Sequence, residues 1–196
     1  RRWRICLWKP LCLITEPNSR FMPEFFVIAA ILFLIWLFGV AGLQKLRSVS
    51  WYATLMARYL DRQEVPYAWV RFVAAVELAC CVLLLVPATS AAGLALACVL
   101  LLGYALLMFL QLRRGKVDMN CGCAGPASDT SISSGLIYRN LACALVASLS
   151  LAPVSVTVSW NVPMVLVTGL LSIFMVLIYS ASEQVIANSQ RIAGAF

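Results

Sequence analysis

FFVIAAILFLIWLFGVAGL, residues 25–43, runs for nineteen residues without a charge. That is close to the roughly 20 apolar residues that one membrane crossing needs. The run reads as a spanning helix from Phe25 to Leu43. Pro23 falls in its first turn, where a missing backbone N–H costs nothing.

Four further predominantly apolar stretches follow. They run about Val70–Val86, ended by Pro87, then Ala91–Leu112, then Ser134–Leu151, ended by Pro153, and finally Val162–Ala181. Five crossings use about half of the chain, which leaves no room for a separate soluble domain. The fold expected is an all-α membrane protein, a bundle of about five transmembrane helices. The expected organisation is a basic N-terminal segment over 1–22, a transmembrane domain over 23–182 and a tail over 183–196.

Composition agrees. The chain is 63% hydrophobic and 12% charged, whereas a soluble domain carries roughly 25% charged residues. Its net charge is +7, but the basic residues sit in loops beside apolar segments, where they orient a membrane protein. They are not interleaved with aromatics along a polar surface, so nucleic acid is not an expected partner. There is no histidine, which removes the commonest metal ligand and general base. No metal is expected. No internal repeat suggests a two-fold transporter.

Residues 1–22 hold Arg1, Arg2, Arg4, Lys9 and Arg20, and are broken by Pro10 and Pro17. The apolar run from Leu11 to Ile14 is too short for a cleaved signal. One expectation is that residues 1–21 precede the natural start.

Two connections are short and two are longer. The longer pair, residues 44–69 and 113–133, share one side of the membrane, called face B here. In the first, Ser48–Arg62 reads as an interfacial amphipathic helix. Trp51, Tyr52, Leu55, Met56, Tyr59 and Leu60 form its apolar side, and Thr54, Arg58, Asp61 and Arg62 its polar side. A plain linker is the competing reading.

The second reads RRGKVDMNCGCAGPASDTSIS. Cys121 and Cys123 flank Gly122, and Gly125 and Pro126 follow, so a turn is expected. Cysteines this close can reach disulfide geometry, and a small strained ring exchanges easily. Arg113, Arg114 and Lys116 favour a thiolate. The alternatives are a static loop staple and half of a metal site.

Charges inside spans mark function by default. Glu77 and Arg139 are the two clear cases, at depths of roughly 12 Å and 9 Å from face B. They can meet if the second and fourth spans are neighbours, either as a structural pair or as groups that move protons and tune the thiols. Tyr104 lies at a similar depth, Asn140 follows Arg139, and Gln44 and Lys45 cap the first span at face B. Cys80, Cys81, Cys98 and Cys143 lie inside spans, where cysteine is usually a small packing residue.

Several of these motifs resemble one family. Gly42-Leu-Gln-Lys-Leu-Arg47, Ser50-Trp-Tyr52 and the span with Glu77 resemble the MauE and DoxX-like redox-associated membrane proteins. Asn120-Cys-Gly-Cys-Ala-Gly125 with Tyr138-Arg-Asn140 narrows the likeness to the MauE family, over about residues 25–182. Ala124 departs from it, since a bulky aromatic is common there.

The resemblance implies a bacterial inner-membrane, multi-pass protein that assists disulfide formation in the small subunit of methylamine dehydrogenase. It implies a thioredoxin-like, MauD-type partner. Cys121, Cys123, Glu77 and Arg139 would be the site residues, and a quinone would be a candidate electron acceptor. The alternative is a non-catalytic assembly subunit with a structural Cys-Gly-Cys disulfide.

Charge and chemistry disagree on orientation. Counting basic residues over all loops puts face B in the cytoplasm. Counting only around the first span gives a balance, and disulfide chemistry belongs on the oxidising side. A periplasmic face B is the expectation adopted.

Overall fold

The computed structural model describes residues 21–115, 132–151 and 162–193. Among these, all regular structure is helical. The helices are α1 (Phe21–Arg47), α2 (Val49–Tyr59), α3 (Tyr67–Leu85), α4 (Ser90–Arg113), α5 (Ser134–Leu149) and α6 (Val162–Ala193). A 3-10 turn at Pro87–Thr89 links α3 to α4.

Helices α1, α3, α4 and α6 are long and apolar enough to cross a membrane. α5 is also apolar but has 16 residues, about 24 Å of helix. The protein is an all-α, multi-pass membrane bundle. The spanning helices pack in the cyclic order α3, α1, α6, α5, α4 and back to α3, with α1 also touching α5 and α2 lying against α3.

The ends of the helices follow local chemistry. Pro66 precedes α3, where its fixed φ suits a helix entry. At the other end, Thr89 Oγ1 donates to the Leu83 carbonyl at 2.9 Å and so satisfies part of the frayed C-terminus of α3. Gly115, at φ 72°, closes α4 in the left-handed conformation that glycine adopts without strain.

Helix contacts are set by small residues. A Cβ on Gly93 of α4 would lie 2.9 Å from the Leu84 backbone nitrogen, so this glycine is what lets α4 approach α3. A Cβ on Gly42 of α1 would lie 3.1 Å from Leu78 Cγ of α3. Small residues at such crossings permit close backbone approach, which is how membrane helices gain packing energy.

The bundle divides into two halves. Away from face B, Phe33, Leu34, Phe38, Cys80, Cys81, Leu84, Leu94, Leu101 and Cys143 fill the interior as one apolar cluster. The thiols there donate to helix carbonyls, Cys80 to Gly93 at 3.4 Å and Cys81 to Ile35 at 3.5 Å. They act as small packing residues with a weak donor. Toward face B the interior holds Lys45, Glu77, Gln111, Arg139 and Asn140, all buried.

α2 covers this polar half. Tyr52, Ala53, Leu55 and Ala57 are buried, whereas Thr54, Arg58, Asp61 and Arg62 are exposed. The polar and apolar sides are those expected, except that Leu60 is exposed. The helix ends earlier than Arg62. Asp61 takes φ 53°, a left-handed position that aspartate tolerates better than most residues. Gln111 Nε2 of α4 donates to the Tyr59 carbonyl at 2.6 Å and ties the end of α2 to the bundle.

Candidate functional site

The buried face of α3 repeats at helical spacing, with Val70, Ala74, Glu77, Cys81 and Leu84 in one stripe. Glu77 is therefore carried inward by an otherwise apolar stripe and is completely buried. On α1, Lys45 stands three residues after Gly42, on the same side of the helix. The close approach at Gly42 thus delivers Lys45 to α3. Lys45 Nζ donates to both Glu77 oxygens, at 2.7 Å to Oε1 and 3.0 Å to Oε2. Tyr104 of α4 donates its hydroxyl to Oε1 at 2.5 Å. Three helices are pinned at one carboxylate.

The ammonium of Lys45 also lies 5.4 Å from the Tyr52 ring centroid and 5.5 Å from that of Tyr104. Ring faces attract a desolvated cation. Burial, and then the Glu77 charge, push the Tyr52 phenol up to about 12. It stays neutral at physiological pH and serves the cation as a ring, not as an anion.

The expected meeting of Glu77 with Arg139 does not occur. α3 packs against α1 and α4, and α5 against α4 and α6, so each charge finds a different partner. Arg139 is buried on the inner face of α5 with Leu136, Asn140 and Cys143. Its Nη1 lies 3.6 Å from Glu183 Oε2, and its guanidinium lies 4.4 Å from the Tyr179 ring centroid. At 3.6 Å this is an ion pair without a hydrogen bond. Nε, Nη1 and Nη2 are all buried without a hydrogen-bond partner.

The sequence reading missed both partners. Lys45 stood at the end of a span and read as an interfacial cap. Its signal was Gly42 three residues earlier. Glu183 fell in the tail, because the last apolar run stops at Ala181. The helix continues to Ala193, and Glu183 lies about 32 Å along it from Val162. The uncharged Ser180 and Ser182 conceal that continuation.

Cys121 and Cys123 lie outside the described residues. The described ends of their connection, Gly115 and Ile132, follow α4 and precede α5. They belong to the end of the bundle that holds Lys45, Glu77 and Arg139.

Between the two charge pairs lies a cavity of about 480 Å³. Every helix contributes to it, through residues such as Gln44, Tyr52, Glu77, Tyr104, Asn140 and Tyr179. Among the described residues no cluster of metal-ligating side chains occurs.

A helical membrane bundle with buried charges gathered at one end and a cavity between them defines a class: a multi-pass membrane protein. The match to the family described as "Methylamine utilisation protein MauE" covers residues 22–153, more than half of the chain, and the chain belongs to that family. The match takes in α1 to α5 and stops before α6, short of the span to residue 182 that the motifs suggested. No curated protein and no solved structure matches the chain.

Proposed function

We propose that this protein is a membrane thiol–disulfide redox protein of the MauE type. It assists disulfide formation and maturation of the methylamine dehydrogenase small subunit, together with a thioredoxin-like partner of the MauD type. The observation that carries the reading is the Lys45–Glu77–Tyr104 cluster, buried at the end of the bundle from which the Cys121–Cys123 connection springs. Ionisable residues inside a membrane bundle are rare and mark functional sites by default. Family membership supplies the biological setting.

The chemistry is thiol–disulfide exchange. A thiolate of one protein attacks a sulfur of the other's disulfide, and a mixed disulfide forms. The second thiol of the attacking pair resolves it. One S–S bond breaks and one forms, and two electrons and two protons pass between the pairs. In this reading face B is periplasmic, where an oxidising environment sustains the pair. Arg113 and Arg114, at the described end of α4, favour the thiolate.

The test replaces Cys121 and Cys123 with serine, singly and together, in cells growing on methylamine. Maturation of the small subunit is scored by its disulfides and by assembled dehydrogenase. Complete loss of maturation with normal membrane levels of the variant is the expected result. Residual maturation with reduced levels of the variant would instead indicate a structural staple in an assembly subunit.

A further inference from the structure

We infer that the cavity beneath α2 is a binding site for a primary ammonium head on an apolar chain, with Glu183 and Gln44 as the acceptors that hold the head. The site needs no thiol chemistry and stands independently of the redox reading.

Size and lining come first. About 480 Å³ is within the roughly 300–1,000 Å³ of small-molecule sites. The wall changes character along the bundle. Its inner part is apolar and aromatic, with Trp36, Phe38, Leu101 and Tyr179. Toward face B it turns polar. On α1, Gln44 follows Trp36 by two turns on the same side of the helix, and on α6, Glu183 follows Tyr179 by one turn. The Trp36 and Tyr179 rings meet edge to face, with centroids 6.0 Å apart, so the two helix faces line one space. An apolar floor under a polar mouth suits an amphiphile. Trp69 and Leu60 are more than half exposed, so the cavity opens beside α2 to a ligand dissolved in the bilayer.

Charge then selects the head. The charged residues of the wall are Lys45, Glu77 and Glu183. One cation against two carboxylates leaves a net charge of −1. Lys45 and Glu77 are closed on each other by two hydrogen bonds, so the surplus falls to Glu183. Arg139, which is not part of the wall, lies 3.6 Å from Glu183 Oε2. At that distance it offsets part of the charge and leaves the carboxylate's acceptor capacity unspent.

Hydrogen bonding agrees with charge. Among the described residues, Gln44 Oε1 is buried without a hydrogen-bond partner, and a buried acceptor left unpaired is costly. A ligand N–H relieves it. Aromatic ring faces attract a cation, and the floor carries Trp36 and Tyr179. An anionic head meets the charge of Glu183. A quaternary ammonium brings no N–H to the two acceptors, whereas a primary ammonium brings three.

The experiment uses the full chain in phosphatidylcholine nanodiscs, with dodecylamine as the probe. Tryptophan fluorescence is followed, since Trp36 and Trp69 line the cavity. A saturable change is expected. Glu183→Gln and Gln44→Leu should each weaken binding about tenfold, the worth of one buried hydrogen bond. Dodecyltrimethylammonium, which keeps the charge and loses the N–H groups, should bind about tenfold more weakly, and dodecanoate should give no saturable change. Ala41→Phe, which fills the cavity, should abolish saturation while circular dichroism and gel filtration stay unchanged. Replacing part of the phosphatidylcholine with phosphatidylethanolamine separates two sources of such a head. Weaker apparent binding of dodecylamine makes the bilayer lipid the occupant, and unchanged binding makes it a free long-chain amine. Equal responses to dodecylamine and dodecanoate overturn the inference. So does a response that rises linearly and equally in the parent, Glu183→Gln and Ala41→Phe.

Discussion

Two charge pairs occupy the same end of the bundle, and they are built differently. Lys45–Glu77 is closed: two hydrogen bonds, a third from Tyr104 and two ring faces around the ammonium. Arg139–Glu183 is open: an ion pair at 3.6 Å, three guanidinium nitrogens without hydrogen bonds, and a glutamate side chain 24% exposed. The first pair gains the bonds that offset removal of two charges from water. The second leaves donor capacity unspent in a buried place, where such capacity is costly. The closed pair fixes the packing of α1, α3 and α4, and the open pair leaves a partly engaged cation beneath face B.

The sharpest way to break that comparison is to remove one member of each pair. Glu77→Leu strands a buried ammonium and should cost about 3–5 kcal/mol, read as a large fall in the thermal midpoint of the purified protein. Adding Lys45→Met should recover most of the loss, because the stranded charge is gone. Additive losses would show that the pair is not a unit.

Next in size is the close approach that delivers Lys45 and seats α4. Gly93→Ala drives a Cβ to 2.9 Å from backbone and should cost about 1–3 kcal/mol as an overpacked contact. Gly42→Ala meets the movable end of Leu78 and should cost less in the same melting assay. Equal losses would argue that the two glycines are not distinguished by what they face.

The open pair should yield a smaller signal. A double-mutant cycle of Arg139→Met and Glu183→Gln should give a coupling below about 1 kcal/mol, since no hydrogen bond is broken. A coupling as large as that of Lys45 with Glu77 would erase the contrast between the pairs. Smallest of all is the surface pair of Arg114 with Asp61, at 3.5 Å and more than half exposed on both sides. Arg114→Gln should change stability by less than about 0.5 kcal/mol.

The sequence made the architecture legible because lipid permits few solutions. Long apolar runs must be helices, and the stop at Pro87 is local chemistry. α2 was legible for the same reason, as a period of 3.6 at Tyr52, Leu55, Met56 and Tyr59. Buried charge was legible too, since Glu77 and Arg139 interrupt apolar stripes. Pairing was not legible, because it depends on which helices are neighbours. A chain order of five spans does not say that α1 lies between α3 and α6. Hence Glu77 and Arg139 each suggested the other, and the structure supplied Lys45 and Glu183. The cavity was hidden for the same reason: its wall draws on every helix, and no single stretch announces it.

The central claim is that Cys121 and Cys123 form a labile pair on an oxidising face B. The most direct measurement traps thiols in intact cells with a membrane-impermeant alkylating reagent, with and without mild reduction. The label is then located by mass spectrometry. The account predicts that Cys121 and Cys123 take label only after mild reduction, while the membrane is intact. A pair that stays unlabelled until the membrane is opened would contradict it, and direct periplasmic exchange by these cysteines would have to be abandoned.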